Sequence, residues 1–457
     1  MSDERSDAAA PADLERAALR KVGQRLVPFL ALLYFAAFID RANVSFAALQ
    51  MNRDLGLSPY VYGLGAGVFF IGYCLFEIPS NLILHRVGGR LWIARIMITW
   101  SIVAGAMAWV RGPEGFYALR FLLGIAEAGF FPGILYYLTG WVPAAQRGRV
   151  VASFMTAIPL STALGGVLSA AILRLDGLLG LAGWQWLYLT ETLPSLVLGV
   201  ATLICLPQSP AEARWLTSAE KESLTATLAA ESAYRRANYP PSVLSALADA
   251  RTLSLSLCYF GIEIGLYGVI FWVPQLLEKS GVAVARVGYV VAIPYGIAAA
   301  GMVWWCRHSD RMRERVRHLA AAALVGFLGL AASAWLSASS VAFAAEWSVV
   351  AITFGALGTL AVLPVFWTLP MAVLSGAGAA AAIALINSFG NLGGFAGPYL
   401  IGWIRDATGE FTYGLLAVAC AVLLTGILAL LIGHDAAAER AGAPLPARPR
   451  RSHAVSG

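Results

Sequence analysis

Residues 61–84 read VYGLGAGVFFIGYCLFEIPSNLIL, and residues 85–90 continue HRVGGR. The first stretch is apolar except for Glu77 and a few small polar side chains. As a helix it rises ~1.5 Å per residue and reaches across the ~30 Å hydrocarbon core of a bilayer. The basic run that follows belongs at a membrane surface, on the side where Lys and Arg collect.

The same pattern recurs outward from this segment. Apolar spans fall at 26–48, 61–84, 92–110, 116–140, 150–173 and 184–206, then at 252–277, 286–307, 318–337, 344–368, 380–404 and 411–433. A polar stretch from Pro207 to Arg251 separates the two sets. Hydrophobic residues make up 59% of the 457 and charged residues 13%, against about 25% charged in a soluble domain. The mean hydropathy is +0.71. Lipid offers backbone amides no partner, so spans of this kind form helices. The short strands of alternating polarity that a membrane barrel needs are absent from the sequence. The expectation is an all-α membrane protein with 12 transmembrane helices in two pseudo-symmetric six-helix bundles, 26–206 and 252–433. A cytoplasmic linker, 207–251, joins them; 1–25 and 434–457 read as cytoplasmic tails, with the first twenty residues and the segment after His434 expected to be disordered.

The net charge of +6 does not point to nucleic acid. Most of the 32 Lys and Arg residues sit in the loops and tails of one side, including Arg214, Lys221, Arg235, Arg236 and Arg251 of the linker. That asymmetry puts both termini in the cytoplasm of a bacterial inner (plasma) membrane. The five cysteines (Cys74, Cys205, Cys258, Cys306, Cys420) lie in apolar runs with no metal-site or disulfide spacing, and read as small packing residues. No metal is expected, and no cofactor apart from protons as a coupling ion. No nucleophile–base–acid set argues for an enzyme. The lipid bilayer is the surrounding partner and a monomer is the default.

Two sets of six spans with a cytoplasmic linker form a transporter layout, with the substrate site at the midplane between the halves. Arg307-His308-Ser309-Asp310-Arg311-Met312-Arg313, after the eighth span, matches HRVGGR after the second in position and charge. Arg86, Arg90, Asp310 and Arg311 are therefore candidate residues of cytoplasmic gating loops. Glycine clusters at Gly63–Gly67, Gly165-Gly166 and Gly393-Gly394 lie inside spans, where small residues let helices approach closely.

Ionisable groups inside a membrane cost ~2.5–3.5 kcal/mol each even on the lenient insertion scale. Four stand out: Asp40 and Arg41 in the first span, Arg120 and Glu127 in the fourth. Adjacent helical residues point about 100° apart, so one of Asp40 and Arg41 faces the central cavity and the other a neighbouring helix. Arg120 and Glu127 are two turns apart on one face, about 10.5 Å in rise. Gly124 between them leaves room for a ligand or a neighbouring side chain. Two fixed cations can hold an organic anion, and two carboxylates can carry protons. All four are expected to share one water-accessible chamber halfway through the bilayer. Tyr73, Tyr267, Trp272, Trp367, Asn387 and Asn391 fall at mid-span or near Pro79, Pro274 and Pro398 and complete a plausible cavity. The roles of Glu77, Glu191 and Glu263 stay open; Glu263 lies beside Tyr259 and Tyr267.

At these residues the chain resembles the anion:cation symporter family of the major facilitator superfamily, over about residues 20–435. The carrying segments are Ile39-Asp-Arg-Ala-Asn43, Ile78-Pro-Ser-Asn81 with the loop to Arg90, Leu119-Arg-Phe-Leu-Leu-Gly-Ile-Ala-Glu-Ala128 with Phe131-Pro-Gly133, and Asn387-Ser-Phe-Gly-Asn-Leu-Gly-Gly394. That family includes uptake systems for tartrate, galactonate, hexuronates and phthalate. The resemblance implies that Asp40 and Glu127 are proton-coupling carboxylates. It implies that Arg41 and Arg120 bind substrate, with Arg120 the better candidate for its carboxylate. Tyr73, Tyr267, Trp367 and Asn387 fall on positions that line the substrate cavity in relatives. Phe38 stands where sugar-acid carriers often have tyrosine, Pro159 where some have glutamine, and His85 replaces the usual loop aspartate. The first two departures make the cavity less polar and favour a tartrate-like dicarboxylate or an aromatic carboxylate. The expected function is proton-coupled uptake of a small organic anion by alternating access. The alternatives are an anion exchanger or efflux carrier without proton symport, and a membrane sensor without flux. The segment Ile158-Pro-Leu-Ser-Thr-Ala-Leu-Gly-Gly166 lacks the Gly-Pro step typical of superfamily antiporters.

Overall fold

The structure, a computed structural model, describes residues 11–143, 146, 150, 154–238, 250–312, 314–339, 343–373 and 377–433. Those residues form helices and connecting turns, with no strand among them. The first half comprises α1 (Pro11–Asp54), α2 (Pro59–Val87), α3 (Gly89–Ala106), α4 (Pro113–Glu127), α5 (Phe130–Thr139), α6 (Ala157–Ile172) and α7 (Gly183–Cys205). After α8 (Ser218–Asn238), the second half comprises α9 (Ala250–Lys279), α10 (Val284–Met312), α11 (Val316–Ser337), α12 (Ala344–Val373), α13 (Ala377–Thr408) and α14 (Thr412–Ile432). Among the described residues, 11 helical segments are long and apolar enough to cross a membrane. The twelfth span, 380–404, lies on α13.

Two segments depart from the sequence reading. Residues 11–20 are not disordered: with 21–25 they are the first turns of α1, continuous with the first span. Ala18, Val22, Leu26 and Leu30 recur at helical spacing and are all buried, so this stretch has an apolar face to pack. Part of what it packs on is α8, inside the linker. Lys21 donates to Glu220 at 2.8 Å and Thr227 donates to Glu15 at 3.2 Å. Burial alone would raise the Glu220 carboxyl, but Lys21 and the Thr217 backbone N–H outweigh it and hold it below the usual carboxylate range. Residues 1–10, part of the linker (239–249) and the tail 434–457 lie outside the described residues.

The fourth span is broken. Ala128 is extended and Gly129 takes φ +83, a left-handed conformation that glycine adopts without steric cost. The break ends α4 at Glu127 and re-aims α5. In the Arg86–Arg90 loop, Gly88 has φ +92. The Arg90 backbone N–H donates to Gln208 at 3.2 Å and its guanidinium meets Glu212 at 3.3 Å. Arg86, Asp310 and Arg311 are exposed.

The halves meet along α2 on α13, α6 on α10, and α1 on α9. At the face where α1 passes into α2, these contacts are backbone to backbone. A Cβ on Gly63 would strike the Pro398 carbonyl, and one on Gly402 the Pro59 carbonyl. A Cβ on Gly288 would strike the Gly166 carbonyl. Tyr62 donates to the Phe271 carbonyl at 3.0 Å and Asn52 donates to Gln275 at 3.3 Å across the same seam. The halves are therefore closed on this face, and glycine is what allows the approach.

Candidate functional site

One arginine organises the centre. Arg41 lies on α1, two turns beyond Tyr34 and almost one beyond Phe38, so all three project from one face. Its Nε donates to Glu127 Oε1 at 2.6 Å, and Nη2 closes the ion pair at 2.5 Å. Its Nη1 donates to the Tyr267 hydroxyl at 2.8 Å. Glu127 comes from the end of α4, where the Ala128-Gly129 break leaves it facing α1. Tyr267 comes from α9, in the opposite half. The guanidinium also lies over the rings of Phe38, Tyr73 and Phe69, 5.2–5.5 Å from their centroids, within cation–π range.

A central cavity opens in front of this guanidinium. Its wall takes Tyr34, Phe38, Arg41 and Tyr73 from α1 and α2, Phe131 from α5, and Met155 and Ile158 from the start of the fifth span. The second half contributes Tyr259, Glu263, Leu266 and Tyr267 from α9, Leu363 from α12, and Asn387 and Asn391 from α13. Asn387 also donates to Glu77 at 2.5 Å, and Ser388 donates to Glu77 at 3.0 Å. Glu77 thus ties α2 to α13 one layer behind the wall.

The four charges do not share this chamber. Arg41 is on its wall, with Glu127 behind it as counter-ion. Asp40 points into the first half, where Trp100 Nε1 donates at 2.9 Å and Ser195 at 2.5 Å. Glu191, held by Ser169 at 2.7 Å, lies in the same first-half interior. Arg120 is 2% exposed and donates to the Gly65 and Ala66 carbonyls of α2 at 3.2 and 2.9 Å. Its guanidinium sits 4.9 Å from the Phe69 ring. Arg120, the better candidate for the substrate carboxylate, does not line this cavity; Arg41 does. The face shared by Arg120 and Glu127 meets the backbone of α2 at one level and α1 at the other. Gly124 leaves room for α2 rather than for a ligand, since a Cβ there would strike the Phe69 carbonyl.

Tyr73, Tyr267 and Asn387 stand on the wall. Trp367 is one layer back, packed edge-on against Tyr259 at 5.0 Å. Trp272 belongs to the closed face, donating to the Pro398 carbonyl at 3.1 Å. The sequence reading gave Tyr34 and Met155 no role. Tyr34 had a signal in its helical register with Arg41. Met155 had none, since only the packing of the fifth span brings it to the wall.

Arg120→Ala is expected to lower the melting temperature of the detergent-solubilised protein, on the scale of a ~2–4 kcal/mol loss for removing a buried side chain that bonds two backbone carbonyls. Arg120→Lys should recover only part of it. A melting curve unchanged in the alanine variant would reject the role of Arg120 in joining α2 to α4.

A helical membrane protein whose two halves enclose a charged central cavity has the architecture of a carrier. The comparisons with known proteins agree. The sequence model of the Major Facilitator Superfamily matches residues 30–398. The chain is 51% identical over 431 residues to a protein of Agrobacterium vitis named "Putative tartrate transporter", covering 94% of each chain. It is 40% identical to the "Quinolone resistance transporter" of Acinetobacter baumannii, covering 92% of this chain and 96% of that one. Among solved structures, an inward-facing, occupied bacterial homologue of the human lysosomal transporter Spinster superposes with a TM-score of 0.70 at 17% identity, over 92% of this chain and 98% of that one. The chain belongs to the Major Facilitator Superfamily, and it is a multi-pass membrane transporter rather than an enzyme.

Proposed function

We propose that the protein is a proton-coupled importer of a small organic anion, a tartrate-like dicarboxylate or an aromatic carboxylate, in a bacterial inner membrane with both termini cytoplasmic. The observation that carries this reading is the sharing of Arg41 between Glu127 and the Tyr267 hydroxyl at the cavity wall. Ionised Glu127 neutralises Arg41 and leaves an incoming carboxylate little to bind. A proton on Glu127 removes that competition. The anion then takes the Arg41 fork and the Tyr267 hydroxyl, and Tyr73 and Asn387 complete the contact. Because Arg41 and Tyr267 belong to different halves, the bound anion draws the halves together. Loss of the proton to the cytoplasm lets Glu127 reclaim Arg41 and expel the anion. Asp40, bonded to Trp100 and Ser195, is a second proton site. Arg86, Arg90, Asp310 and Arg311 serve as the cytoplasmic gating loops.

The proton gradient drives import: a proton on Glu127 and one on Asp40 offset the two charges of a dicarboxylate, so that the loaded carrier moves no net charge against the potential. With a monocarboxylate the same two protons carry one net positive charge inward, which at a negative-inside potential of ~100 mV gains ~2.3 kcal/mol, roughly 50-fold in accumulation. Proteoliposomes with an imposed inward pH gradient test the reading. Labelled tartrate or phthalate should accumulate above equilibrium, and collapse of the gradient by an uncoupler should release it. Accumulation indifferent to the gradient, with exchange intact, would instead favour an exchanger or an efflux carrier. The similarity to a quinolone resistance transporter keeps that second reading in the experiment.

Alternation needs the closed face to open and reclose. Gly288→Val places a branched side chain against the Gly166 carbonyl. It is expected to hold that face open and cut transport at least tenfold. Labelling of a cysteine placed at Val287 by an impermeant maleimide should rise in parallel. Normal transport in this variant would show that the Gly166–Gly288 contact is not part of the cycle.

A further inference from the structure

Glu263 lines the cavity from α9 of the second half, whereas Arg41 lines it from α1 of the first, and the account above leaves Glu263 unused. It lies on α9 between Tyr259 and Tyr267, spaced by four residues each way, so the three form one stripe facing the cavity. The side chain is 3% exposed. Tyr259 lies one helical turn before it on the same stripe. The second carboxylate oxygen, Oε2, has no hydrogen-bond partner in the structure. Buried polar atoms almost always find partners, and an unpaired one at a ligand cavity is a vacancy for a ligand donor. Beside it on the wall stand Asn387 and Asn391. Arg41 offers only donors and an ionised Glu263 offers only acceptors, so the cavity has two poles.

We propose that Glu263 is a specificity-determining residue that accepts a hydrogen bond from a substrate hydroxyl, so that the carrier selects hydroxylated carboxylates over unsubstituted and aromatic ones. This rests on the anion-carrier reading and chooses between its two substrate classes. A substrate carboxylate on Arg41 and Tyr267 leaves the rest of the molecule facing Glu263. Hydroxyl groups there satisfy Oε2. A bare methylene chain or an aromatic ring leaves it unpaired. A site built to bond a hydroxyl can reject the analogue lacking it by up to ~10⁴–10⁵-fold. In a cavity that still admits water the effect is smaller, roughly 10–100-fold.

Tartrate and succinate share a carbon skeleton and differ only in two hydroxyls, so they isolate the effect. Competition against labelled tartrate in proteoliposomes, and binding to the purified protein by calorimetry, should rank tartrate at least tenfold above succinate and phthalate. In Glu263→Gln, and in Glu263→Leu if the first variant keeps partial acceptor function, the tartrate-to-succinate ratio should fall to within about threefold. The melting curve of each variant controls for folding, and the ratio is a readout that a purely structural role would leave unchanged. A wild-type protein that binds all three acids equally, or variants that keep the wild-type ratio, would overturn this inference and leave the anion-carrier reading standing. Binding of none of the three would overturn both.

Discussion

Glu127→Gln should bring proton-driven accumulation of the anion to its equilibrium value while leaving counterflow exchange of preloaded substrate intact. Glutamine keeps the size of the side chain and an oxygen that accepts from Arg41. On the proposed cycle it removes both the charge that competes for Arg41 and the proton that is carried. In the wild-type protein, anion affinity should weaken as pH rises, because ionised Glu127 takes the guanidinium back. Linkage then requires that anion binding bring a proton in with it. The glutamine variant should lose this pH dependence and bind the anion at high pH as tightly as the wild type does at low pH. Proton uptake on binding, measured in weakly buffered solution with a pH indicator, should fall with it. A variant that folds and loses exchange as well as accumulation would remove Glu127 from the coupling role. A wild-type affinity flat from acid to alkaline pH would do the same.

Arg41→Ala is expected to weaken anion binding by at least a hundredfold, and to abolish both accumulation and exchange. The guanidinium is the cationic group on the described cavity wall, and charge pairs that lose one buried member typically lose ~2–5 kcal/mol. Arg41→Lys should recover little. A point-charge ammonium cannot bond Glu127 through two nitrogens while also holding the Tyr267 hydroxyl. The double variant Arg41→Ala/Glu127→Gln controls for the stranded carboxylate, since it removes both charges. If it folds better than Arg41→Ala and still binds no anion, the loss belongs to Arg41. Tartrate or phthalate bound with wild-type affinity by Arg41→Ala would sink the proposed site.

Much of the architecture was legible because lipid simplifies the problem. An apolar run long enough to cross a bilayer has essentially one backbone solution, so the twelve spans could be placed by length and composition. The single-file logic of a helix also separated Asp40 from Arg41: about 100° of rotation sends one to the cavity and the other to Trp100 and Ser195. The register of Tyr259, Glu263 and Tyr267 was visible in the same way. Residues 11–25 and 218–238 were less legible. Both look polar and outside the spans, and their helices rest on burying a modest apolar face against each other.

What one sequence could not supply was which neighbour each helix face meets. Arg120 and Glu127 share a face of α4, yet one meets α2 backbone and the other Arg41. The difference comes from Gly124, which lets α2 close in beside it, and from the turn at Gly129. By itself, then, the sequence determined that this is a helical membrane protein of two six-span halves with costly charges in its first and fourth spans. Tertiary structure alone decided that Arg41 rather than Arg120 faces the cavity, and that Glu263 lines the same cavity from the other half with an oxygen unpaired. The physical reason is that helix periodicity fixes direction within one helix, whereas the partner in that direction depends on how closely, and at what level, two helices pack.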